Sequence, residues 1–408
     1  MSSKYAPKQI STTEVSILST IAFYMIAVSS SPLLSGPLSL NPNLISLAAL
    51  TIFLASAARA RGLNRKMLLL WGALTAASFT LLVFSQSTLL WKRTFPIGLL
   101  LLATHLIVNI KNLPESICDM LSKWLALGVI LSIIGFIYAL SGGQPVLSIT
   151  NPDGRENHLY LTTMSGAVYG NVIRPAWIYD EPGAFSFLIC STVAFRHLLR
   201  MNNRLSTFLM IGGLVTLSLA HMIVAALYMI TRYGSWRTAI SLTAIIVAFS
   251  IVAQRFDNFE FLIARFAIED GRLAGDNRSN QIDNFFNVVD PRMMLLGNVD
   301  CHTRQEGSCH EHGDISSSPV TPVYHGGVFL LAVQLATQLA LVIAFFIRRN
   351  TKFSAAAMSV LLLQRPYFAD FSYGLIIYTT LFMMFREKQV RYETSPKKTI
   401  VLTPKRIH

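Results

Sequence analysis

Apolar runs separated by short polar connections recur along almost the whole chain, at 15–34, 42–58, 67–87, 94–110, 121–141, 182–199, 206–219, 221–232, 238–253, 327–347, 354–364 and 372–386. Many approach the ~20 residues a helix needs to cross about 30 Å of hydrocarbon, and they are too long for the strands of a membrane barrel. The pattern predicts an all-α, polytopic membrane protein with about 12 transmembrane helices, forming a single integral membrane domain over residues 1–408. Met1–Thr13 leads into the first run without a small-residue cleavage site, so that run is read as a span rather than a signal peptide. Two polar stretches, 142–181 and 254–326, are much too long for ordinary connections. They are expected outside the bilayer, as partly folded loops that carry the function.

Composition agrees, with 52% apolar and 13% charged residues and a mean hydropathy of +0.49, against roughly 25% charged in soluble domains. The formal charge of +13 could suggest a nucleic-acid partner, but basic residues in such a chain record topology. Their distribution decides how to read 205–233, which is either one long helix or two short ones turning near Thr216–Ala220. Two helices put both large loops on one face and bring Arg232 and Arg237 together with Arg59, Arg61, Arg65, Lys66, Arg196, Arg200, Arg204, Arg348, Arg349 and Lys352. With both ends inside, 23 of the 34 Lys and Arg then lie in the cytoplasm and 11 outside, while the acids divide 5 to 16. Lys92 and Arg93 are exceptions without an explanation. Residues 387–408 read as a basic cytoplasmic tail.

The first loop ends Arg174-Pro-Ala-Trp-Ile-Tyr179-Asp180-Glu181-Pro182-Gly183 before an apolar helix. Pro182 suits a first helical position, where its missing N–H costs nothing, and Asp180 is a candidate N-cap. Trp177 and Tyr179 suit a membrane interface. Arg174 and Glu181 are costly at such a rim unless paired or functional. The second loop carries Arg265, Arg272 and Arg278, then Pro291-Arg-Met-Met-Leu-Leu-Gly297. Arginine's planar fork binds phosphate oxygens bidentately; equally, Arg265 and Arg272 could pair with Glu260, Glu269 or Asp270. Cys301 and Cys309 could close a disulfide in an oxidising compartment or, with His302, His310 and His312, ligate zinc, although their spacing matches no zinc ribbon.

The Arg174…Asp180-Glu181-Pro182-Gly183 segment resembles the Arg…Glu-Pro-Gly signature of Wzy-type O-antigen and polysaccharide polymerases. The arginines of the second loop, Arg278 within Asp-Asn-Arg-Ser above all, resemble the same family. So do the Gln364-Arg365-Pro366 turn and Thr216-Leu-Ser-Leu-Ala-His221, which lacks the basic residue that often follows the serine. His312 and His325, with His310, stand where the related O-antigen ligases carry a catalytic histidine before a Gly-x-x-Gly-like helix start, here Tyr324-His325-Gly326-Gly327.

The resemblance implies a bacterial inner-membrane glycosyltransferase with its active site facing the periplasm, polymerising undecaprenyl-pyrophosphate-linked repeat units. Arg174 and Arg278 would stabilise the departing pyrophosphate, and Glu181, His312 or His325 would take the acceptor proton. Arg265, Arg272, Arg365, Asp180, Tyr179 and His221 would bind the glycan or pyrophosphate. No metal or other cofactor is implied, and the partners are membrane lipids, the lipid-linked oligosaccharides and a polysaccharide chain-length regulator. Two alternatives are an O-antigen ligase using a lipid A–core acceptor and a flippase or other transporter. The Asp-Glu-Pro-Gly segment favours the polymerase over the first. The scarcity of ionisable groups at mid-span, chiefly His105 and His221, disfavours the second.

The charge asymmetry makes a topological prediction. Cysteines introduced near residues 155 and 275 should both react with a membrane-impermeant reagent applied outside intact cells. Labelling of only one would restore the single helix over 205–233.

Overall fold

The structure is a computed structural model that describes residues 12–29, 31–35, 42–61, 88–150, 156–169, 172–234, 268–269, 272–273, 277–297 and 320–386. Thirteen helices follow in chain order among the described residues: α1 (Thr12–Ser29), α2 (Pro32–Ser35), α3 (Pro42–Arg61), α4 (Thr88–Asn109), α5 (Leu113–Leu140), α6 (Pro182–Leu199), α7 (Asn203–Gly212), α8 (Leu219–Tyr233), α9 (Asn277–Val288), α10 (Pro291–Leu296), α11 (Val320–Ile347), α12 (Lys352–Gln364) and α13 (Phe371–Phe385). Three of them, α5, α6 and α11, are long and apolar enough to cross a membrane. The expected count of about twelve spans is therefore not supported. Several predicted runs do fold as helices but are short: α8 and α13 have 15 residues each, roughly 22 Å at ~1.5 Å per residue. The predicted runs at 67–87 and 238–253 and the tail at 387–408 lie outside the described residues.

Helix α6 is the centre of the bundle. Every residue from Pro182 to Arg196 is buried, because α5, α7, α8, α12 and α13 all pack on it; a helix apolar on every side is stable only when so surrounded. Small polar groups tie the helices together where lipid supplies no hydrophobic drive. Ser354 Oγ donates to Ala194 O at 2.7 Å, Ser372 Oγ donates to Ile26 O at 2.9 Å, and Ser29 and Ser46 meet at 2.6 Å. Arg196, 2% exposed, is held by Ser206 Oγ, Ser122 Oγ and Asn202 O at 2.8–2.9 Å. These bonds occupy nitrogens whose burial unpaired would be expensive.

Residues 205–233 form two helices. After α7 a 3-10 turn runs over Gly213–Thr216, Leu217 takes a left-handed φ of 50°, and α8 starts at Leu219. Thr207 Oγ1 lies 3.3 Å from Tyr228 OH, and His221 Nε2 lies 2.9 Å from Met210 O. Successively later residues of α8 thus meet successively earlier ones of α7, and the pair is an antiparallel hairpin.

The bundle has two ends. α6 and α12 run antiparallel, with Ser354 beside Ala194 and Arg365 beside Glu181. α11 turns directly into α12 through Thr351, whose hydroxyl donates to Ala344 O at 2.6 Å, so the start of α11 lies at the Glu181 end. Leu217, bonded to Arg174, brings the α7–α8 tip to that end as well. His197, Arg200, Arg348 and Arg349 collect at the other.

The first large loop is not wholly irregular. Strands β1 (Leu147–Thr150), β2 (Glu156–Tyr160) and β3 (Thr163–Ser165) form an antiparallel meander, followed by the hairpin β4 (Val168–Tyr169) and β5 (Val172–Ile173). A two-residue pair, β6 (Ile268–Glu269) with β7 (Arg272–Leu273), belongs to the second loop. The meander leans on α5. Thr162 Oγ1 donates to Leu131 O at 2.6 Å, and a Cβ at Gly135 would lie 2.5 Å from Thr163 Cγ2. Nearer the start of α5, Gly128 leaves the space filled by the ring of Trp177. Trp177 has a left-handed φ of 54°, which a bulky residue adopts only where its surroundings enforce it. Its N–H donates to Thr163 Oγ1 at 2.8 Å, and its carbonyl accepts from Met164 N at 2.5 Å.

Filling the Gly128 recess should therefore dislodge the loop. Gly128→Leu is expected to destabilise the protein by about 1–3 kcal/mol, read as a lower thermal midpoint in detergent, with increased proteolysis after residue 141. An unchanged midpoint and cleavage pattern would show that Trp177 does not anchor the loop.

Candidate functional site

The Glu181 end of α6 gathers several of the chemical groups singled out in the sequence. Pro182 occupies the first helical turn, and Glu181, extended at φ −136° and ψ 143°, is the residue that caps the helix. Asp180 therefore stands one position before the cap rather than in it. Glu181 O accepts from Ala184 N at 3.1 Å and Phe185 N at 3.3 Å. Its carboxylate turns away from the helix and pairs with Arg365 Nη2.

Arg365 follows the last residue of α12, and Pro366 behind it stops the helix from continuing. Its Nη1 donates to Tyr367 OH at 2.6 Å, and its guanidinium stacks 5.5 Å from the Tyr367 ring. Burial pushes the Tyr367 phenol up to about 12, against the pull of Arg365. It therefore stays a neutral hydroxyl throughout the physiological range. Gly183 makes the arrangement possible: a Cβ there would lie 3.1 Å from Arg365 Nε, tighter than nearly all such contacts. The Pro-Gly of the first loop and the Arg-Pro before α13 are thus two sides of one junction.

Arg174 reaches from the first loop to the hairpin tip, donating through Nη2 to Leu217 O at 3.1 Å, and is half-buried. Asp180 is half-buried, with its carbonyl 3.2 Å from where a Cβ on Gly166 would be. Tyr179 is fully buried, stacked on Phe185 at 5.9 Å and edge-on to Trp177 at 6.1 Å, in an aromatic group continued by Trp124 and Tyr24. Burial raises its phenol pKa, and its surroundings are those of a core residue. His221 is also wholly enclosed, with Nε2 against Met210 O and Nδ1 3.3 Å from Cys190 Sγ.

On the second loop, Asp290 caps α10 by accepting from Met293 N at 2.5 Å, and Pro291 opens the helix. α10 ends at Gly297, where φ is 81°. That glycine meets the start of α11: a Cβ on it would lie 2.7 Å from Gly326 N. At Gly327, φ is 59° and a Cβ would run into Leu295 O. Gly326 and Gly327 break the helical conformation within α11, so the predicted helix start at Tyr324-His325-Gly326-Gly327 is a kink. His325, half-buried beside Tyr324 with rings 5.5 Å apart, stands directly before it. Phe285 of α9 packs with Val320, Val323 and Tyr324. This holds α9 against α11.

Arg272 stands in β7, and Arg278 stands in the first turn of α9. Arg265, Cys301, Cys309, His310 and His312 lie outside the described residues. Among the described residues no group of three or more His, Cys, Asp or Glu is arranged to hold a metal ion.

The arrangement defines a mostly helical protein with three helices able to cross a membrane and a charged, aromatic cluster at one end of the bundle. No protein-family model, characterised protein or solved structure matches the chain.

In the sequence Arg365 stands only among the residues that would bind glycan or pyrophosphate, and neither Tyr367 nor the Gly128–Trp177 contact is marked out. The signals were Pro366, which ends a helix directly after a cation, and Gly183, which frees the space that cation needs. Pairing Glu181 with Arg365 should show as an energetic coupling. In a double-mutant cycle of Glu181→Gln and Arg365→Met, thermal unfolding should give an interaction of about 1 kcal/mol. Additive effects would mean that the two side chains do not meet.

Proposed function

We propose that the chain is a membrane glycosyltransferase that polymerises undecaprenyl-pyrophosphate-linked oligosaccharide units at the periplasmic face, as Wzy-type polymerases do. The observation that carries the reading is the Glu181–Arg365 junction. It joins two segments that resemble that family, the Asp-Glu-Pro-Gly entry to α6 and the Arg-Pro turn before α13, at the end of the bundle to which Arg174 and the α10–α11 joint also belong. In this reading this end faces the periplasm because the basic clusters of Arg200, Arg348 and Arg349 lie at the other.

The reaction needs a base for the acceptor hydroxyl and cations for the leaving group. Glu181 takes the hydroxyl proton while Arg365 and Tyr367 fix the direction of its carboxylate. The acceptor oxygen forms a bond to the anomeric carbon of the growing glycan as that carbon's bond to the pyrophosphate oxygen breaks. The charge that develops on the pyrophosphate is met by Arg174 and Arg278, an electrostatic contribution of the kind that commonly dominates catalysis. The products are a glycan longer by one unit, still carried on the acceptor lipid, and undecaprenyl pyrophosphate.

Polymer formation by variants, normalised to membrane protein level in a strain lacking the native enzyme, tests the assignment. Glu181→Gln should lose about a hundredfold or more, whereas a helix cap would tolerate glutamine. Arg174→Lys and Arg278→Lys should be nearly as damaged as the alanine variants, because lysine keeps the charge but not the fork. Near wild-type polymer from Glu181→Gln and Arg278→Lys would refute the site. With purified protein and lipid-linked units, a ladder supports the polymerase, a single transfer to lipid A–core indicates a ligase, and absence of product a transporter.

A further inference from the structure

The first loop holds a feature that the proposed chemistry does not use. α5 carries an exposed ion pair, Asp119–Lys123 at 2.6 Å with the lysine side chain 70% exposed; after Lys123 no charged residue follows until Asp153. The helix from Trp124 to Leu140 is therefore an uncharged rod of roughly 25 Å at ~1.5 Å per residue. Leu127, Ile130, Ile134 and Ile137 form an exposed stripe along it, at the three- and four-residue spacing of a single helix face. α5 is one of the helices able to cross a membrane, and this stripe is the side that a spanning α5 would turn to lipid.

The β2–β3 hairpin does not stand beyond the end of that rod but lies alongside it. Its two connecting residues are Leu161, left-handed at φ 54°, and Thr162, whose hydroxyl donates to Leu131 O at 2.6 Å. Tyr160 O and Thr163 Cγ2 lie against Gly135. The tip thus sits five to nine residues short of Leu140, roughly 8–14 Å down the helix, about halfway along its uncharged part. Leu161 is nevertheless 51% exposed and Val146, whose N–H donates to Leu159 O near the same tip, 64% exposed.

Polarity along the sheet rises away from the tip. Leu147 pairs with Leu159 near the tip, Ser148 with His158 one step away, and Thr150 with Glu156 at the far end. Glu156 stands roughly 13 Å from Tyr160 at ~3.3 Å per residue. Backbone that enters hydrocarbon must be satisfied internally; near the tip the strands pair with each other, and Thr162 N donates to Tyr160 O at 2.6 Å.

We propose that the β2–β3 hairpin is a membrane-inserted finger, its Leu161 tip and Val146 lying among the acyl chains of the leaflet on the Glu181 side, while Glu156 and His158 remain in water. The exposed apolar tip is bonded through Thr162 to Leu131, next to Ile130 of the α5 stripe, and this placement identifies the occupant as the bilayer. The finger holds the first loop, and with it Ile173, which packs with Ala139 near the end of α5, and the adjoining Arg174, at the level of lipid headgroups. It depends on the membrane-spanning reading of α5 and not on the glycosyltransferase assignment.

The test is depth-dependent fluorescence quenching in reconstituted vesicles of phosphatidylcholine and phosphatidylglycerol. Cys301 and Cys309 are replaced by serine, Cys118 and Cys190 being buried, and a polarity-sensitive thiol label is placed at Leu161→Cys, Val146→Cys or Glu156→Cys. Lipids brominated on the acyl chain should quench the labels at 161 and 146 several-fold more than the label at 156, and aqueous iodide should give the reverse order. Iodide quenching at 161 and 146 equal to that at 156 would place the tip in water. Protection from both quenchers would mean that another part of the chain or a second copy covers it. Either outcome overturns the proposal, and if the Leu161 variant fails to fold the Val146 label decides alone.

Discussion

The contact on which this end of the molecule depends is the ion pair between Glu181 and Arg365. A carboxylate at the start of a buried helix and a guanidinium at the end of its antiparallel neighbour would each be expensive alone in so apolar a setting. Together they join the loop before α6 to the loop before α13, and Tyr367 and Gly183 complete the joint by bonding one partner and making room for it. Because α6 is enclosed on all sides, whatever is attached to its first turn is positioned relative to most of the bundle.

Three junctions of the structure are backbone contacts made possible by missing side chains. Gly128 receives the Trp177 ring, Gly135 receives the β2–β3 tip, and Gly297 and Gly327 let α10 touch the kink of α11. Each fixes part of a large loop to a helix rather than leaving it to solvent. The loops are thereby positioned by rigid elements, as residues intended for chemistry require, and in the first loop by a helix that also carries an exposed apolar stripe.

The residues of the proposed reaction differ in how firmly the fold holds them. Arg174 is anchored at both ends, its backbone N–H donating to Ala167 O at 3.1 Å and its guanidinium to the hairpin tip. Tyr179 and His221 are enclosed by aromatic and apolar neighbours, an environment suited to packing. This divides the sequence candidates into groups at a rim, Arg174, Glu181 and Arg365, and groups that hold the rim in shape.

What the sequence by itself determined was local. Runs of apolar residues located ten helices close to their observed places, and Pro182 and Pro366 marked helix limits because a missing N–H and a fixed φ act on the immediate chain. The arginine distribution resolved 205–233 into the hairpin later seen at Leu217. Tertiary structure decided the rest: that helices as short as α8 and α13 do not meet the length of a full crossing, that Glu181 rather than Asp180 caps α6, and that its carboxylate meets Arg365 across 184 positions of chain. The first loop's fold was equally hidden, since a three-stranded meander depends on where α5 offers glycines to receive it. Such partners are chosen by packing between distant segments, and neither the periodicity nor the charge of any one segment records them.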